Sequence, residues 1–391
     1  MHSTDASPAA PLDDARDNAP CVAVIDETPS QQTHGFSFTG SGSEYFRIWI
    51  VNLFLSIITL GVYSAWAKVR RLQYFDRNTQ LAGASFDFDG DPKAILRGRV
   101  LADILLAAYE YAFGFSMAVG IAVISMLLLS LPFMMRGALR FRLRNTRYRG
   151  LRFNFGGSAT GAYSAYLLPV MLFLLPAALV AIDPSGGLVA LFFVAYLAWP
   201  LMHGAMKRYQ HRHLEFGSQR AAFDLPKRKF FRPYFAVLGL GLGAIIVIMG
   251  TIAALLAGLE GKWDQKILGP IAALMGGLAM VYVIYLVAGP YVQVRIGNMV
   301  WSNTSFPGVT ISSHLKARGY LRLQTVNAVL TLLSMGLYRP FAVVRAYQYR
   351  LAHITVRTDD SFERIAAGVT KSSRAASSDG VADFLGVDLS W

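Results

Sequence analysis

Long apolar runs alternate with short, arginine-rich polar stretches along most of this chain. Leu101–Met135, Tyr163–Ile182, Leu188–Met206, Tyr234–Leu259 and Ile267–Ala288 approach or exceed the roughly 17–25 residues that a helix needs to cross a bilayer. Two shorter runs near the ends are related to each other. NLFLSIITLGVYSAWAKVRRLQYF (52–75) and NAVLTLLSMGLYRPFAVVRAYQYR (327–350) share Asn52/Asn327, Gly61/Gly336, Tyr63/Tyr338 and Arg70/Arg345 without a gap.

A second pattern follows each basic cluster: RNTQLAGASFDFDG at 77–90, RNTRYRGLRFNFGG at 144–157 and SNTSFPGVTISS at 302–313, with RHLEFGSQRAAFDL at 212–225 and AHITVRTDDSF at 352–362 as degraded copies. Pro132, Pro200, Pro290 and Pro340 stand about thirteen residues ahead of the Asn-Thr or the His in its place, and Ala65 holds that slot in the first copy. The alternation in Phe86-Asp-Phe88 and Phe153-Asn-Phe155 is the period-two signal of short strands. Asn78, Asn145 and Asn303, with Gly83, Gly150 and Gly308, read as turn residues, because Asn bonds local backbone and Gly accepts left-handed conformations. Gly61 and Gly336 read as the bends of the two short runs.

Spacing then suggests an architecture. The second and third units have about 42 residues between strand motif and Pro, and the fourth about 65, enough to go out and back as helical hairpins; the first and fifth have only about 25. The expected fold is an all-α polytopic membrane protein written as a five-fold internal repeat. It has about six transmembrane helices in three hairpins, two shorter membrane-dipping segments and small cytoplasmic β-hairpins. The expected organisation is a disordered acidic tail over 1–35, a membrane domain over 36–357 with units near 36–88, 89–155, 156–225, 226–311 and 312–357, and a polar tail over 358–391.

Composition supports the membrane class: 54% of the 391 residues are hydrophobic and only 16% charged, more apolar than soluble domains. The net charge of +13 lies in the loops between apolar runs, which by the positive-inside rule makes those loops, and both tails, cytoplasmic. That placement argues against nucleic acid and for anionic lipid headgroups as partners, with Arg70, Arg71, Arg140, Arg142, Arg144 and Arg345 as their ligands; a homo-oligomer is left open. The one cysteine, Cys21, excludes an internal disulfide.

The run EYFRIWIVNLFLSIITLGVYSAWAKVRRLQYF at 44–75 and its continuation NTQLAGASFDFDGDPKAILRGR at 78–99 resemble the signature of the YjgN-type family of bacterial multi-pass inner-membrane proteins, a domain of unknown function. The resemblance covers roughly 36–355. It implies the bacterial inner membrane and supplies no reaction, substrate or catalytic residue. Ala65 departs from the Pro expected there.

Ionisable or amide side chains inside apolar helices are the candidate intramembrane polar site. Asp103 and Glu110 lie seven apart on one helical face, with Arg99 one turn before Asp103 as an ion-pair partner. Asn52 and Asn327 either glue helices together or line a site between broken segments. The histidines lack a four-ligand set for a structural metal, and no nucleotide-binding or hydrolase motif is present. No cofactor is implied, and nothing marks an enzyme. Two functions fit: a transporter or channel for a small solute, ion or lipid, by analogy with folds built from broken repeats, or a non-transporting scaffold that binds lipid through a basic cytoplasmic face.

Overall fold

The structure, a computed structural model, describes residues 32–183, 185–188, 194–258 and 265–358. Both expected tails, with Cys21, lie almost wholly outside the described residues. In chain order the elements are β1 (Gln32–Phe38), α1 (Gly42–Ile58), α2 (Ser64–Arg77), β2 (Thr79–Leu81), β3 (Ala84–Phe88), α3 (Pro92–Phe115), α4 (Met117–Arg144), β4 (Thr146–Tyr148), β5 (Leu151–Phe155), α5 (Ala159–Ile182) and α6 (Trp199–Arg212). The order continues with β6 (Leu214–Phe216), β7 (Gln219–Arg220), β8 (Ala222–Phe223), α7 (Phe231–Gly258), α8 (Gln265–Tyr282), α9 (Gly289–Trp301), β9 (Thr304–Phe306), β10 (Val309–Ser313), α10 (Ala317–Leu333), α11 (Arg339–Leu351) and β11 (Ile354–Thr358).

The fold is not all-α. The strands join into one antiparallel sheet of eleven, in the order β7-β6-β5-β4-β3-β2-β1-β11-β10-β9-β8, a near-barrel. Its two end strands are consecutive pieces of one extended segment: Gln219–Arg220 pairs with β6 and Ala222–Phe223 with β9. What read as separate small hairpins are therefore segments of a ring. The physical reason lies in pairing that local pattern does not carry: β3 pairs Ala84 and Ser85 with β2, then Phe86, Asp87 and Phe88 with β4. Strands of two to seven residues gain stability only by such sharing.

Register shows where the helices stand. Phe38 pairs with Thr79, Phe88 with Thr146, Phe155 with Leu214, Phe223 with Thr304 and Ser313 with Ile354, so each helical excursion leaves and re-enters the sheet at paired residues. All excursions rise from one rim, and the tight turns lie on the other. Those turns follow their residues: Ala82-Gly83 and Arg149-Gly150 have positive φ at both places (46° and 76°, 48° and 79°), the type I′ geometry that suits strand twist.

The span count also changes. Among the described residues four helices are long and apolar enough to cross a membrane, not about six: Met117–Arg144, Ala159–Val180, Lys227–Gly258 and Lys266–Trp301. α3 falls short because Arg99, Asp103 and Glu110 all lie in its most apolar stretch. The expected return helix of the third unit is partly outside the described residues, and what is described there is a 3₁₀ turn, Val194–Ala198, leading into α6. Between α8 and α9 the chain forms a π-helical stretch, Val283–Ala288, just ahead of Pro290, whose missing N–H removes an α-helical bond there.

Much of the inside of the ring is filled. Phe36, Phe86, Tyr148, Phe153 and Phe216, from five strands, pack with Leu81, Val309 and Val356 into one cluster, and Phe86 lies 4.6 Å from Tyr148 and Phe153 4.8 Å from Phe216 between ring centroids. One step nearer the helices, Phe38, Phe88 and Phe155 lie under Phe75, Phe141 and Tyr209. The glycine that ends each F-x-F-x-G is fixed by this layer: a Cβ on Gly40, Gly90 or Gly157 would sit 2.5–2.7 Å from the ring two residues before it. Gly157→Ala is expected to destabilise the fold by about 1–3 kcal/mol through overpacking, whereas Gly239→Ala, which meets open space, is expected to be neutral or slightly stabilising; thermal unfolding in detergent compares the two.

Candidate functional site

The two short helical runs place Asn52 and Asn327 alike. α1 and α10 end in the same stop: the Gly61 N–H donates to the Ser56 carbonyl and the Gly336 N–H to the Thr331 carbonyl, both at 2.7 Å, the six-to-one bond of a Schellman-type terminus. Gly61 and Gly336 hold φ of 91° and 93°, and the residues before them, Leu60 and Met335, are each 95% exposed. The chain then returns along α2 and α11, and α1 packs on α11. Asn52 and Asn327 are buried, each carbonyl accepts a hydroxyl at 2.6 Å from Ser56 or Thr331, and each side-chain Oδ1 is buried without a partner. The Asn327 Nδ2 donates to the Ala342 carbonyl of α11 at 3.2 Å, a bond that joins the two arms of its own hairpin.

Asp103 and Glu110 point elsewhere. Both are exposed, while Ala102, Leu105 and Ala112 form the buried face of α3. Arg99 donates to Ser64 Oγ. Tyr109, next to Glu110, donates to the Leu174 carbonyl of α5 at 2.9 Å. The four polar candidates thus lie on three helices, Asn52 on α1, Asn327 on α10 and both Asp103 and Glu110 on α3.

The Asn-Thr pairs cap helices. Asn78, Asn145 and Asn303 donate Nδ2 to the carbonyl four residues back at 2.8, 2.8 and 2.7 Å. His213 and His353, in the degraded copies, donate Nδ1–H to the equivalent carbonyls of Tyr209 and Tyr349 at 2.9 and 2.8 Å. Gly308, with φ of 71°, follows Pro307 in the turn between β9 and β10.

The basic candidates divide by partner. Arg142 reaches Asp76 at 3.2 Å and lies over the Phe88 ring, and Arg144 Nε donates to Asn154 Oδ1 at 3.1 Å. Burial holds the Asp76 carboxyl above its ordinary range, with Arg142 opposing. Arg71 is half-buried against Phe75, and Arg140 is half-buried with an Nε that has no acceptor. Arg70 and Arg345 differ: both are exposed, Arg70 over the Tyr63 ring at 6.0 Å and Arg345 donating to the Tyr338 hydroxyl at 2.7 Å.

Two features carried weak sequence signals. His211, buried, donates Nδ1–H to Thr304 Oγ1 at 3.0 Å while that hydroxyl donates to the Val300 carbonyl. The second is a cleft of about 640 Å³ where the sheet changes partner, lined by Arg208, Arg212, His213, Arg220, Ala221, Ala222, Phe223 and Asp224. Counting back from the rim pair Phe223 and Thr304, Ala221 occupies the position that Phe86 and Phe153 hold in β3 and β5. The signal was there in RAAFDL, where the aromatic alternation lapses. Among the described residues no group of His, Cys, Asp and Glu has the makings of a metal site.

A ring of short strands beneath apolar helices, four of them long and apolar enough to cross a bilayer among the described residues, defines a multi-helix membrane protein. The chain belongs to the family described as bacterial protein of unknown function (DUF898), whose model matches residues 33–384. It is 32% identical over 148 residues to the inner membrane protein YjgN of Escherichia coli O157:H7 and, equally, of strain K12, a match covering 36% of this chain and 36% of each relative. It is 24% identical over 370 residues to inner membrane protein YjgN of Salmonella typhimurium, covering 84% of this chain and 90% of the relative. No solved structure matches. These relatives support the bacterial inner membrane as the location.

His211 gives a pH prediction. Burial first, and Lys207 second, pull its pKa from 6.5 down to about 3. A base depressed on folding contributes stability that is present above the unfolded pKa and lost as pH falls toward the folded one. Below pH 6.5 the loss is about 1.4 kcal/mol per pH unit. Melting at pH 7 and pH 5 is expected to show a larger drop for the wild type than for His211→Gln, which keeps a donor for Thr304; equal drops would remove His211 from the account.

Proposed function

We propose that this protein is a non-transporting membrane scaffold that gathers anionic lipid headgroups on the side of the ring, with the sheet and both tails cytoplasmic. The observation that carries this reading is the pairing of Arg70 with Tyr63 and Arg345 with Tyr338, exposed cations beside aromatic rings on helices whose tips are apolar and bare. Tyrosine at an interface and arginine beside it are what headgroups select. The clustering of arginines near the rim, where positive charge favours the cytoplasmic face, supports the orientation.

The aromatic packing within much of the ring and the placement of Asn52, Asn327 and the Asp103–Glu110 pair on three helices weigh against a conduit, which needs polar groups along one path. A basic residue near an anionic surface adds about 1 kcal/mol, or roughly five-fold in lipid partition. Arg70→Gln with Arg345→Gln is therefore expected to lower the phosphatidylglycerol retained on the purified protein by an order of magnitude, read by mass spectrometry, while phosphatidylethanolamine stays unchanged. Solute flux in proteoliposomes, abolished by Asn52→Leu or Glu110→Gln, would replace this reading with transport.

A further inference from the structure

We infer that the cleft at Ala221 is a discrete phosphate-ester site, with Arg208, Arg212 and Arg220 as its anion ligands. It does not depend on the headgroup reading, which uses other residues on other helices. At about 640 Å³ it falls within the range of small-molecule sites, roughly 300–1,000 Å³, and is far larger than a single anion needs. Three guanidinium groups and one carboxylate, Asp224, line it.

Each arginine contributes differently. Arg208 lines the cleft with its Nε buried and without an acceptor, so its guanidinium offers the ligand its terminal nitrogens. Arg220 is held in place, its Nη2 donating to the Gly156 carbonyl at 3.3 Å and its Nε 3.8 Å from Glu215. Arg212 is exposed at the mouth. The His213 Nδ1–H is committed to the Tyr209 carbonyl, which leaves Nε2 as the ring nitrogen available to a ligand hydroxyl. Phe223 and Ala221 supply an apolar wall for the organic part.

The number of guanidinium groups selects the ligand class. A carboxylate offers two oxygens, which one arginine fork fills; several forks around one space match the three or more oxygens of a phosphate group. The cleft lies where alanine stands at the position that Phe86 and Phe153 hold in the corresponding strands.

Such an ester reaches the cleft either as a soluble monoester or as a lipid headgroup. The test uses the full chain in nanodiscs of phosphatidylcholine, with and without phosphatidylglycerol, and calorimetric titration with glycerol 3-phosphate, competed by inorganic phosphate. Saturable binding is expected, weakened about ten-fold or more by Arg208→Gln and by Arg212→Gln. Binding in both kinds of disc assigns a soluble ester, and binding lost only when phosphatidylglycerol is present assigns the lipid headgroup as the occupant. Arg212→Gln, at an exposed position, serves if Arg208→Gln does not fold. No saturable binding in phosphatidylcholine discs, or binding unchanged in a natively melting Arg212→Gln, overturns the site. The Arg70→Gln/Arg345→Gln protein is expected to bind glycerol 3-phosphate normally, so failure of the headgroup reading leaves this result standing.

Discussion

Partner switching within single strands is the constraint on which the rest of this structure depends. β5 gives Leu151 and Arg152 to β4 and then Phe153, Asn154 and Phe155 to β6, and the segment from Gln219 to Phe223 divides in the same way between β6 and β9. A hairpin of a few residues has too little pairing and too little apolar area to persist in water. Sharing strands between two neighbours gives nine of the eleven described strands two partners and leaves only β7 and β8, consecutive pieces of one segment, as edges. β1 and β11 complete the circle by pairing with each other, so the chain closes on residues more than 300 positions apart in sequence.

That closure dictates the membrane part. Because every helical excursion begins and ends at paired rim residues, each must return to the side from which it left. Helix termini planted so close together also explain the rim chemistry: Asn or His side chains take up carbonyls of the last helical turn, which would otherwise stand unpaired. Buried cross-links between neighbouring excursions, such as Asp76 with Arg142 and His211 with Thr304, then hold adjacent helix feet at a fixed spacing.

Much of this local chemistry was legible in the sequence. The turns at Gly83 and Gly150, the Asn-Thr pairs and the F-x-F-x-G strands all follow from residue-level preferences, and each appears as backbone geometry where its letters stand. The ring was not legible, because whether Phe86 pairs within its own hairpin or with Tyr148 of the next is decided by pairing across more than sixty residues. The span count differs for another reason: length and apolarity over whole runs do not register that Arg99, Asp103 and Glu110 concentrate charge in one helix. Asn52 and Asn327 are each buried with an unpartnered Oδ1, and α11 packs against both α1 and α10.

The copies that match the pattern least carry the most distinctive chemistry. Where the aromatic alternation is kept, as in β3 and β5, side chains fill the ring and the glycines admit them, leaving no room for a ligand. Where it lapses, at Arg220-Ala221-Ala222-Phe223, the strand changes its pairing partner, a cleft lies beside it, and the Arg208 Nε is buried with no acceptor. A regular ring needs only interchangeable units, and selection for stability alone would favour restoring the aromatic residue. Local departures from an otherwise consistent pattern tend to mark sites that do something besides fold. The degraded third copy is therefore where the inferred phosphate-ester site lies, apart from the Arg70 and Arg345 pairs of the headgroup reading.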